Sequence, residues 1–201
     1  MRARSWLILC AVHGVASMLA WWSQGVSTPW LAWNADEWLQ HPWTLWTSAW
    51  VHSNTPHLIA NQMALGWLVV LAWLARPDGW STLAWALAWP LTQAVLPLWP
   101  QIGHAMGLAG LLHAALAVLA VHLVLGRLPL RAGRRWGALL VVVVLVKLLL
   151  EQAWDDPVVW DAATERSVVQ AASLAGACWG LVLGLLSAWA AWDFRRRWVG
   201  V

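Results

Sequence analysis

Charge is what this sequence has least of. Twelve Lys/Arg and nine Asp/Glu make 10% of 201 residues, where a soluble globular domain carries about 25%. With apolar residues at 61%, the chain does not read as a soluble enzyme or a secreted binding domain, and the lipid bilayer is its expected partner. Cysteine is nearly absent. Cys10 and Cys178 each lie inside an apolar run, which excludes a disulfide framework and leaves both as expected core residues. With no CxxC, no HExxH and no phosphate-cradling glycine loop, no metal and no cofactor is expected. Tyrosine is missing and phenylalanine occurs once, so 22 tryptophans carry almost all the aromatic character. Indole suits the headgroup boundary, and many of these residues are expected to mark helix ends. The formal charge of +3 is dispersed over chain ends and short loops rather than gathered on one face, so nucleic acid is not an expected partner.

Long apolar runs are plentiful. Segments of spanning length fall at about 5–22, 56–75, 80–99, 104–125, 135–154 and 168–192, which predicts an all-α integral membrane protein of six transmembrane helices. No Pro/Gly/Ser linker divides the chain and no repeat recurs, so residues 1–201 are expected to form one domain. The first run lacks a small-residue cleavage site, carries His13 mid-span and leads into Trp21–Trp22, which reads as a retained span rather than a secretion signal. Cations are retained on the cytoplasmic side of short loops. With the N-terminus inside, Arg2, Arg4, Arg76, Arg127, Arg131, Arg134, Arg135 and Arg195 to Arg197 are all cytoplasmic, leaving Arg166 outside and Lys147 within a span. Both termini are then cytoplasmic. The long outer loop 23–55, Trp-rich from Trp30 to Trp50, is expected to lie in the outer interface.

Polar groups inside a span are costly and therefore informative. The richest group runs from His52 to Asn61 at the outer end of the second span. Pro56 suits a first helical turn, and His57 and Asn61, four apart, share a face. An imidazole N–H and an amide NH₂ converging in apolar surroundings form a donor pair suited to an oxyanion. A polar clamp between helices is the alternative. Gly176, Gly180 and Gly184 give the sixth span a small face every four residues, and Gly103, Gly107 and Gly110 do the same at the start of the fourth, so these two spans are expected to pack closely. Lys147 and Glu151 form an i,i+4 pair, read either as an anchor near a substrate entry or as charge neutralisation. His13 is expected to bond a neighbouring helix, and His122 to be interfacial.

Several of these segments together resemble one family. Trp46 to His52 followed by His57-Leu-Ile-Ala-Asn61 resembles the HxxxN segment opening the second helix of rhomboid intramembrane serine proteases. Gly107-Leu-Ala-Gly110 resembles their GxSG motif, and Gly176-Ala-Cys-Trp-Gly180 their sixth-helix glycines. Lys147 to Gln152 and Leu111-Leu-His113 make the chain most similar to the rhombosortase branch, whose members process proteins bearing a C-terminal glycine-glycine sorting tail. The resemblance implies a six-helix rhomboid-like bundle in the bacterial inner membrane. It also implies that His52, His57 and Asn61 line an oxyanion site.

The catalytic positions depart from that pattern. The serine position is Ala109, and the histidine position, three before Gly176, is Ser173. No serine occurs between Ser81 and Ser167 and no histidine after His122, so sliding the alignment restores neither. Losing nucleophile and base removes several powers of ten in rate. The expectation is a catalytically inactive relative that binds transmembrane or C-terminal tail segments. Two alternatives stand beside it: an active rhombosortase-type endopeptidase, through Ser173 paired with His113 or His104 or through Ala109 and Ser173 replacing a catalytic Ser and His, and a non-proteolytic membrane chaperone or complex subunit.

Overall fold

The computed structural model describes residues 3–23, 28–162 and 165–198. Six long helices account for the six apolar runs: α1 Arg4–Trp22, α4 Thr55–Ala75, α5 Gly79–Ala94, α6 Ala109–Val124, α7 Gly133–Glu151 and α8 Gln170–Trp198; the short helices α2 Thr28–Leu31 and α3 Thr44–Thr47 fold the first long loop. Three of them, Arg4–Trp22, Thr55–Ala75 and the Gln170–Phe194 part of α8, are long and apolar enough to cross a membrane. The expected all-α class holds as a mostly helical chain with two small antiparallel ladders. Strand β1 (Trp33–Asn34) pairs with β2 (His104–Ala105), and β3 (Val158–Asp161) pairs with β4 (Arg166–Val169) as a hairpin.

Local chemistry sets the helix boundaries. Asn54 caps α4, its Oδ1 accepting from the His57 N–H at 3.0 Å, with Pro56 in the first turn; Asp78 does the same for α5 through Ser81 N–H at 3.0 Å. Such caps satisfy amide groups that have no partner within the helix. Two expected boundaries need correction. The run from 104 does not begin as helix: His104 and Ala105 are strand, Gly107 has φ +101°, and α6 starts at Ala109. The run to 99 leaves the α-helix after Ala94 and ends in a 3-10 turn over Leu96–Leu98, because Pro97 disfavours α geometry in the residue before it.

Helix α6 is the axis of the bundle. It is apolar all round and Leu111 to Ala115 and Ala117 to Leu123 are all buried, as a helix without a polar face must be. A buried cluster around Trp6, Leu68, Trp85, Leu111 and Leu119 joins α1, α4, α5 and α6. The Trp6 and Trp85 rings stack with centroids 4.5 Å apart, and Trp85 Nε1 donates to the Leu111 carbonyl at 3.0 Å. These two indoles are core, not helix-end markers. The outside is inverted relative to a soluble protein: Ile8, Leu19, Met63, Trp67, Trp73, Val143, Leu149 and Trp189 are all exposed, a surface that water does not favour.

The expected contact between α6 and α8 is present and tighter than side chains allow. A Cβ on Gly176 would fall on the Gly110 carbonyl and one on Gly180 on the Ala114 carbonyl, while a Cβ on Gly110 would lie 2.6 Å from the Ala172 carbonyl. Two further expectations are corrected by this packing. Cys178, on the other side of α8, is exposed rather than core, because a helix apolar all round does not announce which face meets protein. His122 is not interfacial but fully buried at the α6–α8 contact, with Nε2 2.9 Å from Ser187 Oγ.

Candidate functional site

One end of the bundle collects the loop 28–54, the segment 95–108 and the β3–β4 hairpin; the other collects Ala3, Pro77, the 125–132 turn and Phe194, with Ala3 N–H bonded to the Pro77 carbonyl at 2.7 Å and the Phe194 ring 6.4 Å from that of Trp80. At the first end lies a cavity of about 220 Å³. Its walls include Ser53, His57 and Asn61 from the start of α4, Gln93 from α5, Gly107, Ala109 and Gly110 from the start of α6, Arg166 and Ser167 from β4, and Ala172 from α8.

The α4 cap aims the histidine. Ser53 N–H donates to His57 Nδ1 at 3.5 Å, with Ser53 Oγ 3.3 Å from the same nitrogen. A ring nitrogen that accepts carries no proton, so this bond assigns the proton to Nε2. That edge of the ring faces Gly107: a Cβ there would fall on His57 Nε2 and come within 3.1 Å of Asn61 Nδ2. Gly107 therefore has two reasons to be glycine, its positive φ and the approach of these donors. Its N–H is fixed by the Ser48 carbonyl at 2.9 Å. The expected His57/Asn61 pair is thus brought together beside Ala109.

His52 sits behind this pair. Its ring meets that of His57 edge to face with centroids 4.8 Å apart, and its Nδ1 donates to the Trp50 carbonyl at 3.0 Å. Burial pushes the His52 imidazole down to about 4; the Trp50 carbonyl opposes this and the Arg166 charge adds to it. His52 is therefore neutral at pH 7 and supports the cavity wall rather than lining it.

The two positions that the sequence marks as replaced lie on the close α6–α8 contact. Ala109 lines the cavity. Ser173 is buried, and the cavity is bounded there by Ala172 instead. Among the described residues no imidazole hydrogen-bonds the Ser173 hydroxyl. His113 Nδ1 instead donates to the Ala109 carbonyl at 2.6 Å, and His104 is exposed. Lys147 and Glu151 do pair, Nζ donating to Oε1, with Lys147 44% and Glu151 18% exposed. His13 accepts from Trp50 Nε1 at 3.1 Å, its partner lying in the short 3-10 helix Ser48–Trp50. Of the cations read as sharing one side, Arg2 and the side chains of Arg195 and Arg197 lie outside the described residues.

Sequence reasoning missed Arg166, Gln93 and Ser53 as wall residues. Arg166 had one signal, being the cation that falls apart from the arginine-rich loops; Gln93 had none. Burial lowers the Arg166 guanidinium from its ordinary value and Asp161 opposes that shift, yet a guanidinium stays charged in proteins. Chemically, the cavity offers donors around a small-residue floor, and the lining hydroxyl that a hydrogen bond places beside an imidazole is that of Ser53, 3.3 Å from His57 Nδ1. No metal cluster of His, Cys, Asp or Glu occurs among the described residues. No protein-family model and no curated protein matches the chain.

Proposed function

We propose that this chain is a six-span, rhomboid-like membrane protein, closest in plan to the rhombosortase branch, that binds transmembrane or C-terminal tail segments of other proteins without cleaving them. It sits in a bacterial inner membrane with both termini cytoplasmic, the arginine-rich end inside. Helices α5 and α6, at 16 residues each, cover about 24 Å apiece, less than a hydrocarbon core of about 30 Å. For α6 this is no obstacle, since a helix enclosed by the others need not match the lipid on its own. The observation that carries the functional reading is the cavity itself. His57 Nε2–H and Asn61 Nδ2 converge beside Ala109 on a close α6–α8 contact, the place where an acyl-transfer site needs its hydroxyl, and a methyl group cannot attack a carbonyl.

The test is labelling of the purified chain with a fluorophosphonate probe. The native chain is expected to stay unlabelled, and Ala109→Ser combined with Ser173→His to gain labelling and cleavage of a tail-bearing reporter. Labelling of the native chain that Ser173→Ala abolishes overturns the reading in favour of an active enzyme with exchanged partners. A correctly folded double variant that gains nothing favours a bundle reused for a non-proteolytic subunit.

A further inference from the structure

The polar groups that the bundle leaves unsatisfied are not scattered at random around this cavity. Asn61 is 7% exposed, and its Nδ2 is buried without a hydrogen-bond partner; Arg166 Nε and one acceptor, Gln93 Oε1, are in the same condition, and all three residues line the same cavity. Burying an unpartnered polar atom is costly, and two donors against one acceptor around one space favour an occupant that is chiefly an acceptor. The proton on His57 Nε2 adds a third donor.

Charge narrows the class. The lining contains one cation, Arg166, and no aspartate or glutamate. Asp161 stands opposite Arg166 in the hairpin register and acts on it electrostatically, but among the described residues no carboxylate lies within ion-pair distance of the guanidinium. His52, behind the wall, is neutral at pH 7 and brings no second charge. The cavity therefore has a net positive charge and a surplus of donors, which favours an anion over a neutral carbonyl. Size and shape narrow it further. About 220 Å³ bounded by Gly107, Ala109, Gly110 and Ala172 admits the end of a chain with a small last residue more readily than a continuing backbone.

We propose that the cavity captures a peptide carboxylate, in the first place the free C-terminal carboxylate of a bound segment, with Arg166 as counter-charge and Asn61 Nδ2 and His57 Nε2–H as hydrogen-bond donors. This rests on the segment-binding reading above and specifies what the segment must present. Arg166 acts as a specificity residue, selecting ends over internal stretches.

The experiment uses the full chain in detergent micelles and three fluorescein-labelled hexapeptides: one without acidic side chains ending in Gly-Ala as the free acid, the same sequence ending as the Gly-Ala amide, and an amidated peptide with one internal residue replaced by aspartate. Anisotropy titration is expected to show the free acid binding about 10- to 100-fold more tightly than the amide, as a charge-assisted hydrogen bond implies. Arg166→Gln should remove that preference, and Arg166→Lys should keep part of it, retaining charge but not the fork of donors. Thermal melting of Arg166→Gln checks that the bundle is intact. Equal binding of acid and amide overturns the carboxylate inference and leaves segment binding standing. Preference for the internal aspartate overturns the assignment to a chain end. Binding of none of the three overturns both readings.

Discussion

Replacing Gly176 by alanine tests the α6–α8 contact on which the site is built. In the middle of an ordinary helix this change is favourable by about 1 kcal/mol, because alanine loses less backbone freedom than glycine. Here the added Cβ falls on the backbone of Gly110, with the Gly110 Cα only 3.1 Å away. A backbone carbonyl in the first turn of a helix has no alternative rotamer, so α6 and α8 must separate. Forcing a methyl into a full contact costs typically 1–3 kcal/mol and occasionally more. Taking about 3 kcal/mol for a clash with backbone, the net loss after the propensity gain is about 2 kcal/mol. The same reasoning grades a series. Gly180→Ala meets the Ala114 Cα at 2.8 Å and should lose nearly as much, Gly184→Ala meets Val118 Cα and Val121 Cβ at 3.3 Å and should lose little, and Gly66→Ala, with nothing within 4 Å, should gain. Unfolding in mixed micelles with increasing SDS, followed by tryptophan fluorescence, ranks the four. If Gly176→Ala and Gly66→Ala shift the midpoint alike, the close α6–α8 packing is refuted.

Two further outcomes follow from single groups. The His52 imidazole has a folded value of about 4 against 6.5 when unfolded, so the unfolded chain binds the extra proton between these values. Its contribution is present in full above pH 6.5 and is lost as pH falls towards 4, amounting to about 3 kcal/mol over that window; His52→Gln should flatten this part of the melting-temperature profile, and an unchanged slope would show that His52 does not titrate there. Trp85→Phe removes the buried Nε1 bond to the Leu111 carbonyl and leaves space where the larger ring stood, a loss of about 2 kcal/mol that equilibrium unfolding in micelles would report; no change in midpoint would mean that the indole bond carries nothing.

The helices were legible because length and hydrophobicity alone mark an apolar run, and all six runs are helical within a few residues. The α6–α8 contact was legible for a related reason: Gly176, Gly180 and Gly184 repeat on one helical face, and small residues at that spacing have few uses other than close approach. What sequence could not supply was pairing across distance. Nothing in the 104–108 segment announces that His104 and Ala105 will pair with Trp33 and Asn34, which is why the fourth helix was expected to begin too early. Arg166 shares a cavity wall with His57 although more than a hundred residues of chain separate them. Cys178 and His122 illustrate the same gap from within a helix. When every face is apolar, periodicity does not say which residue meets lipid and which meets protein.

A serine and a histidine within hydrogen-bonding distance do occur in this chain, and their placement shows why distance alone does not make a catalytic pair. Ser187 Oγ lies 2.9 Å from His122 Nε2, but the hydroxyl donates its proton to the Gly184 carbonyl at 3.1 Å. The imidazole must then be the donor in the Ser187 bond, so the nitrogen that faces the serine already carries a proton and is not available as a base. Both residues are buried, and the His57 and Asn61 donors are elsewhere: thirteen residues along α6 separate Ala109 from His122, about 20 Å at 1.5 Å per residue. Acyl transfer needs nucleophile, free base, donors and access in one place. Here the His57 and Asn61 donors and the cavity are at one end of the α6–α8 contact and the Ser187–His122 couple is at the other, where it ties the two helices together.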